Sequence, residues 1–245
     1  MKLLFQRLFP PTCVLCESAT GRDMDLCQGC EDDLSKNLYC CPRCALPLEQ
    51  TVAEKYQYME LICGDCQSNP PSFDECLTPF LYQFPLRELI LRYKKLATPA
   101  IGKTLAQLMA RTLADELVRV NANKKTPDYL IPVPTHQLKL KQRGFDHTLL
   151  LAREIGQALN IPVIERTAIR GIATAEQKGL SRLQRKKNMR NNFSILTPIN
   201  AKSVAIIDDV MTTGATANEF AKLLKKQGVD HISVWCLART PLNRN

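Results

Sequence analysis

The chain has 245 residues, a formal net charge of +9 and 45% apolar residues. This length suits one large domain or a core domain with a smaller appendage, and fifteen prolines and ten glycines argue against a disordered chain. No apolar run approaches the length of a membrane-spanning helix, and residues 1–11 are too short and interrupted for a signal peptide.

Eight of the eleven cysteines form four Cys-x-x-Cys pairs, all before residue 67. Each pair brings two thiolates onto one metal ion, and two pairs complete a tetrahedral zinc site. Disulfides are the alternative, but they need an oxidising compartment, which the start of this chain does not indicate. We therefore predict two zinc ions in a cytoplasmic protein. The predicted ligands are Cys13, Cys16, Cys27 and Cys30 for one ion, and Cys41, Cys44, Cys63 and Cys66 for the other.

This sequential pairing is an interpretation, because spacing also permits a crossed arrangement of the four pairs. Cys40, which lies beside Cys41, is a competing ligand. Eight thiolates and two zinc ions would lower the formal charge of +9 to about +5.

After a proline-rich linker at residues 69–72, strand and helix patterns follow one another. Their alternation from residue 128 onward predicts βαβ units and a parallel sheet. Trp235, Cys236 and Cys76 are predicted core residues. The predicted strands or extended segments are 78–84, 129–134, 162–169 and 229–238, and the predicted helices are 86–95, 101–120 (beyond a break at Pro99) and 145–159.

Residues 203–228 predict a buried strand, a tight loop and a helix. The apolar run ends in Asp208 and Asp209, and a turn rich in threonine follows around Gly214. Thr216 and Glu219 have the spacing of a capping box, and Gly228 suits the end of the helix. A loop that opens a helix offers backbone N–H groups to a phosphate, while the two carboxylates suit sugar hydroxyls or a metal-bound water.

Two cationic stretches follow the strand at residues 129–134. Lys139, Lys141 and Arg143 form a predicted turn at the same end of the sheet as Asp208, where a pyrophosphate could bind. Residues 177–190 are a second cationic run without apolar periodicity. Their composition fits equally a flexible arm that closes over an anionic ligand and a helix that faces solvent.

The segment Asp-Asp-x-x-Thr-Thr-Gly-x-Thr resembles the signature with which type I phosphoribosyltransferases bind 5-phosphoribosyl-1-pyrophosphate (PRPP). Together with the four cysteine pairs, Pro-Val-Pro, Arg-Gly-Phe and Gln-x-x-Leu…Arg-x-x-Asn, it makes nearly the whole chain similar to the ComF family of bacterial competence proteins. The resemblance implies an α/β fold: a double zinc ribbon over residues 1–72, then a Rossmann-like type I phosphoribosyltransferase domain with a parallel sheet over residues 73–245.

The resemblance also implies functional residues. Asp208 and Asp209 would be catalytic and contact the ribose, with Mg²⁺ accompanying PRPP. Gln177, Arg185 and Asn188 would lie on the flexible arm. The full set implied to bind PRPP is Asp208, Asp209, Met211, Thr212, Thr213, Gly214, Ala215, Thr216, Lys94 and Arg143.

One position departs from the family pattern. Where members read Arg-Gly-Phe-Asn-Gln, this chain has Asp146 and His147 after Phe145. The acid at position 146 is expected to add negative charge beside the pyrophosphate.

The resemblance implies a competence protein that binds zinc and PRPP and handles internalised single-stranded DNA in the cytoplasm, with peripheral attachment at the inner membrane as an open expectation. Other competence or DNA-translocation proteins are further expected partners. Aromatic residues such as Tyr56, Tyr58 and Phe73 could stack on bases. The alternative is an active phosphoribosyltransferase that transfers the sugar to a nucleobase or amine, for which no acceptor pocket is evident in the sequence.

Overall fold

A computed structural model describes residues 11–49, 61–119, 126–170 and 193–241. Within these ranges the chain forms a five-stranded sheet and a separate two-stranded sheet. The strands are β1 (Glu75–Leu77), β2 (Phe80–Leu81), β3 (Tyr129–Pro132), β4 (Ala168–Arg170), β5 (Phe193–Ile195), β6 (Ser203–Met211) and β7 (His231–Arg239). The helices are α1 (Gln28–Asp32), α2 (Gly64–Ser68), α3 (Leu86–Leu96), α4 (Pro99–Arg119), α5 (Gln137–Arg143), α6 (His147–Leu159) and α7 (Ala215–Lys226).

The five-stranded sheet is parallel throughout. β6 and β7 lie at its centre, β3 flanks β6, and both β1 and β2 pair with β7. Because parallel strands end on the same side, the last residues of β3, β6 and β7 meet at one edge, which we call the carboxyl edge. This arrangement confirms the predicted α/β class with a parallel sheet. β4 and β5 form the antiparallel two-stranded sheet.

The central strand β6 is buried on both faces, and its side chains alternate between them. Ala205 and Ile207 belong to a buried cluster with residues of α3, α4 and α6. Val204 and Ile206 belong to a second cluster with Phe220 and other residues of α7. Trp235, Cys236 and Cys76 lie in these clusters too, which confirms them as core residues.

The cysteine-rich part of the chain packs directly on the α/β part. Lys36 forms an antiparallel bridge with Phe80 of β2, and the Leu81 N–H donates to the Ser35 carbonyl at 2.8 Å. Met24 is buried in the same cluster as side chains of α3. The two parts therefore share a hydrophobic core, and the boundary at residue 72 stays a prediction.

Several predicted element ends differ from the structure. The predicted turn at residues 139–143 is helix α5, and Pro99 begins α4 as its first residue, where its missing N–H costs nothing. The segment predicted as one strand at 78–84 holds only the short β2, preceded by β1. The extended segment predicted at 162–169 contributes a bridge from Val163 to Leu130 and then β4.

The predicted capping box at the start of α7 is wrong. Thr216 and Glu219 both lie inside the helix, and Gly214 is its N-cap, with a left-handed φ of +77° and no side-chain cap. The predicted end at Gly228 is confirmed: its φ is +90°, and its N–H donates to the Lys225 carbonyl at 3.0 Å. Among the helices of the described ranges, none combines the length and the apolar composition that a membrane span requires.

Candidate functional site

The carboxyl edge carries two adjacent aspartates whose side chains face opposite sides of the sheet. Asp209 continues the β6 face that carries Ala205 and Ile207, toward α3 and α6. Asp208 continues the opposite face, toward α7 and the two-stranded sheet. The two neighbours in sequence therefore meet different partners.

Asp209 is buried, with 5% of its surface exposed, and two cationic or protonatable groups converge on its Oδ2 atom. Lys94 Nζ at the end of α3 lies 2.7 Å from it, and His147 Nε2 at the start of α6 lies 3.2 Å from it. Burial alone would raise the pKa of Asp209, but His147 and Lys94 outweigh burial and hold the pKa below its ordinary value. Asp209 is therefore a fixed negative charge at the edge of the sheet.

The orientation of His147 follows from its second ring nitrogen. Arg143 Nη1, at the end of α5, lies 3.1 Å from His147 Nδ1. A guanidinium can only donate hydrogen bonds, so Nδ1 accepts and the imidazole proton resides on Nε2, directed at Asp209. Arg143, His147 and Asp209 thus form a chain of contacts that links α5, α6 and β6.

Asp146, which departs from the family pattern, is the N-cap of α6. Its Oδ1 accepts from the N–H groups of Thr148 and Leu149 at 3.1 and 3.2 Å, and from the Thr135 hydroxyl at 2.9 Å. An amide oxygen of asparagine would accept the same bonds. The negative charge of Asp146, which was expected beside a pyrophosphate, therefore accepts hydrogen bonds from N–H groups at the start of α6.

Asp208 is half-buried, and its Oδ1 accepts from the Asp209 N–H at 2.9 Å. Burial, and then the neighbouring Asp209 carboxylate, raise the pKa of Asp208 to about 7. Lys94 and Arg170 act in the opposite direction. A carboxyl group with this pKa takes up or releases a proton readily near neutral pH, and a bound cation would shift it to the ionised form.

The loop after β6 leads directly into α7, and we call residues 212–216 the phosphate loop. Thr212 and Thr213 are exposed, and the Thr213 hydroxyl accepts from the Ala215 N–H at 3.3 Å. The N–H groups of the first helical turn and the positive end of the helix dipole favour an anion here. Met211, another predicted PRPP contact, has a buried side chain whose sulfur lies 3.7 Å from Cys76 Sγ.

Arg170, at the end of β4, is a candidate site residue that no sequence pattern indicated. Its Nη2 donates to the Thr216 hydroxyl at 3.3 Å, and its guanidinium lies 5.4 Å from the ring centre of Phe193. Burial lowers the pKa of Arg170, while the charge of Asp208 raises it. The only sequence signal is an arginine at the end of a short extended segment, which does not distinguish it from a solvated residue.

The described ranges hold part of the predicted cationic surface. Lys139 and Lys141 are exposed on α5, which is bounded by His136 at its N-cap and Gly144 at its C-cap. The three residues predicted for a flexible arm, Gln177, Arg185 and Asn188, lie outside the described residues, as do Tyr56 and Tyr58. The prediction that Phe73 stacks on bases is wrong, because its ring is buried in the core and only 2% exposed.

The eight cysteines of the four pairs gather into two groups. Cys13, Cys16, Cys27 and Cys30 form the first cysteine group, and Cys41, Cys44, Cys63 and Cys66 form the second cysteine group. The sulfur atoms of each group lie within 4.8 Å of one another, and Cys40 belongs to neither group. The structure therefore brings together the sets given by sequential pairing.

The spacing of the sulfur atoms fits a tetrahedral zinc site. Cys16 Sγ and Cys27 Sγ are 3.7 Å apart, and Cys44 Sγ and Cys63 Sγ are 3.6 Å apart. Four thiolates around a zinc ion with Zn–S bonds of about 2.3 Å stand about 3.8 Å from one another. Disulfide-bonded sulfurs would be about 2 Å apart.

Comparison with known proteins gives matches over both parts of the chain. A family model for the double zinc ribbon domain matches residues 4–67, which confirms that predicted module. Competence protein F of Haemophilus influenzae is 36% identical over 217 residues, which cover 87% of this chain and 90% of that protein. DNA utilization protein YhgH of Escherichia coli K12 is 31% identical over 233 residues, which cover 94% of this chain and 98% of that protein.

Solved structures also match. A purine phosphoribosyltransferase from Pyrococcus horikoshii covers 55% of this chain and 72% of its own, with 21% identity and a TM-score of 0.33. A glutamine PRPP amidotransferase from B. subtilis covers 59% of this chain and 30% of its own, with 16% identity and a TM-score of 0.37.

Proposed function

The chain belongs to the ComF family, which includes Competence protein F and DNA utilization protein YhgH, and we propose that it binds zinc and PRPP and handles internalised single-stranded DNA during natural transformation. The proposed place of action is the cytoplasm. Other competence or DNA-translocation proteins are proposed partners.

One observation carries the PRPP proposal: the phosphate loop and the two aspartates lie together at the carboxyl edge. The loop opens α7 with exposed threonine hydroxyls, which suits the 5′-phosphate of PRPP. Asp208 lies near the end of β6, shortly before this loop, where its carboxyl group suits the ribose hydroxyls. Arg170 contacts Thr216 and adds a cation on the same side. Neighbouring groups of the protein therefore suit the 5′-phosphate, the ribose and the negative charge of PRPP.

PRPP is expected to bind with Mg²⁺, which would neutralise the charge of the pyrophosphate. Asp208 is the carboxyl group available to a metal-bound water, because Asp209 already faces Lys94 and His147. Its pKa near 7 means that little free energy is needed to ionise it at physiological pH. The two aspartates are thus proposed to have different roles: Asp208 contacts the ligand, and Asp209 holds Lys94 and His147 in position.

The zinc proposal rests on the two cysteine groups. Their sulfur spacing and their all-thiolate composition suit one zinc ion each. Such sites stabilise small modules with little hydrophobic core of their own. We therefore propose a structural role for both ions.

The DNA proposal rests on the family and on the exposed cations near the carboxyl edge. Lys139 and Lys141 project from α5 into solvent, and Leu138 beside them is 66% exposed. Exposed lysines can contact the phosphates of a DNA backbone, and an apolar side chain beside them suits the unpaired bases of a single strand. We propose α5 as part of the surface that contacts the DNA.

An active phosphoribosyltransferase is the second candidate. The observation that favours it is the buried contact of Asp209 with Lys94 and His147, which fixes charges in place before any ligand binds. Release of pyrophosphate from PRPP in the presence of nucleobases, amines or single-stranded DNA would establish turnover. Saturable PRPP binding without any release would instead support a binding role.

The function is tested by complementation of a naturally transformable host that lacks its own relative of this protein. We expect Asp208→Asn to lower the number of transformants at least tenfold, while labelled DNA still enters the cell. Asp230→Asn is the matched control, because Asp230 precedes β7 at the opposite edge of the sheet and is exposed. Transformation at the wild-type level with Asp208→Asn, or loss of DNA entry itself, would contradict the proposal.

A further inference from the structure

The second cysteine group lies against the start of the phosphate loop. Ala45, which follows Cys44, is fully buried in the same cluster as Met211, the last residue before the loop. The Cys76 N–H donates to the Pro42 carbonyl at 3.1 Å, within the turn between Cys41 and Cys44. Through Ala45 and Cys76, this turn of the zinc ribbon therefore packs on the part of the core that holds Met211.

Arg239 joins the two through a set of hydrogen bonds. It ends β7 and is only 4% exposed. Its Nε donates to the Cys44 carbonyl at 3.0 Å. Its Nη1 donates to the Met211 carbonyl at 3.1 Å, to the Thr212 carbonyl, and to the Thr240 carbonyl at 3.0 Å. One planar guanidinium thus bonds the carbonyl of a proposed zinc ligand, the carbonyl of the residue before the phosphate loop and the first carbonyl of that loop.

These bonds orient the N–H groups of the loop. A trans peptide is planar, so the N–H of each residue points away from the carbonyl of the residue before it. With the carbonyls of Met211 and Thr212 directed at Arg239, the N–H groups of Thr212 and Thr213 point away from Arg239. Successive N–H groups held in this way form an anion-binding concavity.

We propose that Arg239 is a positioning residue through which the second zinc site sets the geometry of the phosphate loop. Cys44 would hold the zinc ion by its sulfur and Arg239 by its carbonyl, so a displaced knuckle displaces the loop. Coupling of this kind is reciprocal: a phosphorylated ligand on the loop strengthens zinc retention by the second cysteine group. The inference rests on the proposed binding of PRPP.

The test uses the zinc-loaded full chain, treated with a zinc-selective chelator and a thiol-alkylating reagent, with and without PRPP. This test and the calorimetry described below both use excess Mg²⁺. Mass spectrometry of the peptides measures how fast each cysteine is alkylated. We expect PRPP to slow alkylation of the second cysteine group at least fivefold, within the usual range of coupling between sites. The first cysteine group is the internal control, and its rates should change less than twofold. Arg239→Lys keeps the charge but loses the planar fork, and should remove the difference.

Calorimetric titration of the wild-type protein with PRPP distinguishes a failure of the coupling from a failure of the proposed function. PRPP that binds without selective protection of the second cysteine group would overturn the coupling and leave the proposed function intact. PRPP that does not bind at all would overturn the proposed function and the coupling with it. If Arg239→Lys does not fold, the alkylation rates of the wild-type protein with and without PRPP still test the coupling.

Discussion

Asp208 and Asp209 are adjacent in the sequence, yet the structure gives them different surroundings. Asp209 is buried against Lys94 and His147, whereas Asp208 lies half-buried beside the phosphate loop. The alternation of a strand explains this difference, because neighbouring side chains leave opposite faces. A sequence with two adjacent acids thus supplies one buried, paired charge and one carboxyl group that we propose contacts the ligand.

The pKa of Asp208 leads to a prediction about stability. The unfolded chain ionises this carboxyl near pH 4, but the folded protein does so only at about pH 7. Between these values the folded state binds more protons than the unfolded state, so the contribution of Asp208 to stability is lost as pH rises toward 7. We expect the free energy of unfolding of Asp208→Asn, relative to wild type, to increase by about 1–2 kcal/mol between pH 5.5 and 8.

Chemical denaturation of both proteins across this pH range measures the effect. Zinc ligation changes with pH in the same way in both, so the comparison isolates Asp208. A pH-independent difference between the two proteins would show that the carboxyl ionises normally.

The sequence pattern indicated Asp208 and Asp209, and the family resemblance indicated Lys94, but neither indicated the contacts that these residues make. The replacement of the family's glutamine by His147 was visible, yet its contacts with Asp209 and Arg143 join three separate elements. Arg170 and Arg239 look like ordinary strand-end arginines in the sequence. Their importance depends on which loop lies opposite, and local spacing cannot supply that.

At the scale of elements, the phosphate loop and α7 form the unit that we propose binds the phosphate of the ligand. Gly214 turns the chain from β6 into the helix with a left-handed φ of +77°. A Cβ at this position would meet only Met211 Sδ, at 3.7 Å, so space is not the obstacle. The obstacle is the backbone conformation, which costs a residue with a Cβ about 1–2 kcal/mol.

Substitution at the two ends of α7 separates binding from stability. Gly214→Ala and Gly228→Ala both place a side chain at a positive φ, so each should lower the free energy of unfolding by about 1 kcal/mol. Only Gly214→Ala should also weaken PRPP binding at least about tenfold, because it shifts N–H groups of the phosphate loop. Equal PRPP affinities of the two variants by calorimetry would place the phosphate elsewhere.

Helix α5 shows where element prediction from sequence fails. The segment has no buried residue, and Leu138 and Leu140 both face solvent, so it lacks the apolar period that predicts a helix. Its ends define it instead: the His136 side chain accepts from the Leu138 N–H, and Gly144 ends the helix at a left-handed φ. The longer helices α3 and α6 were predicted because each buries one face.

For the whole molecule, the zinc ribbon and the α/β part share a core. Met24, Leu26 and Leu34 of the cysteine-rich part lie in one buried cluster with residues of α3 and α4, and Arg239 bonds the Cys44 carbonyl. The four cysteine pairs predicted the module and the βαβ pattern predicted the sheet. The docking of the module on the carboxyl edge was not predictable, because it depends on contacts between residues nearly 200 positions apart.

The central claim is that PRPP binds at the carboxyl edge of the sheet with its phosphate on the loop that opens α7. Titration of the zinc-loaded, isotope-labelled protein with PRPP and Mg²⁺, followed by amide nuclear magnetic resonance, tests it most directly. We predict saturable shifts that are largest for the backbone N–H groups of residues 212–216, and their loss in Asp208→Asn. Saturable shifts centred on other residues, or no shifts at millimolar PRPP, would contradict the claim.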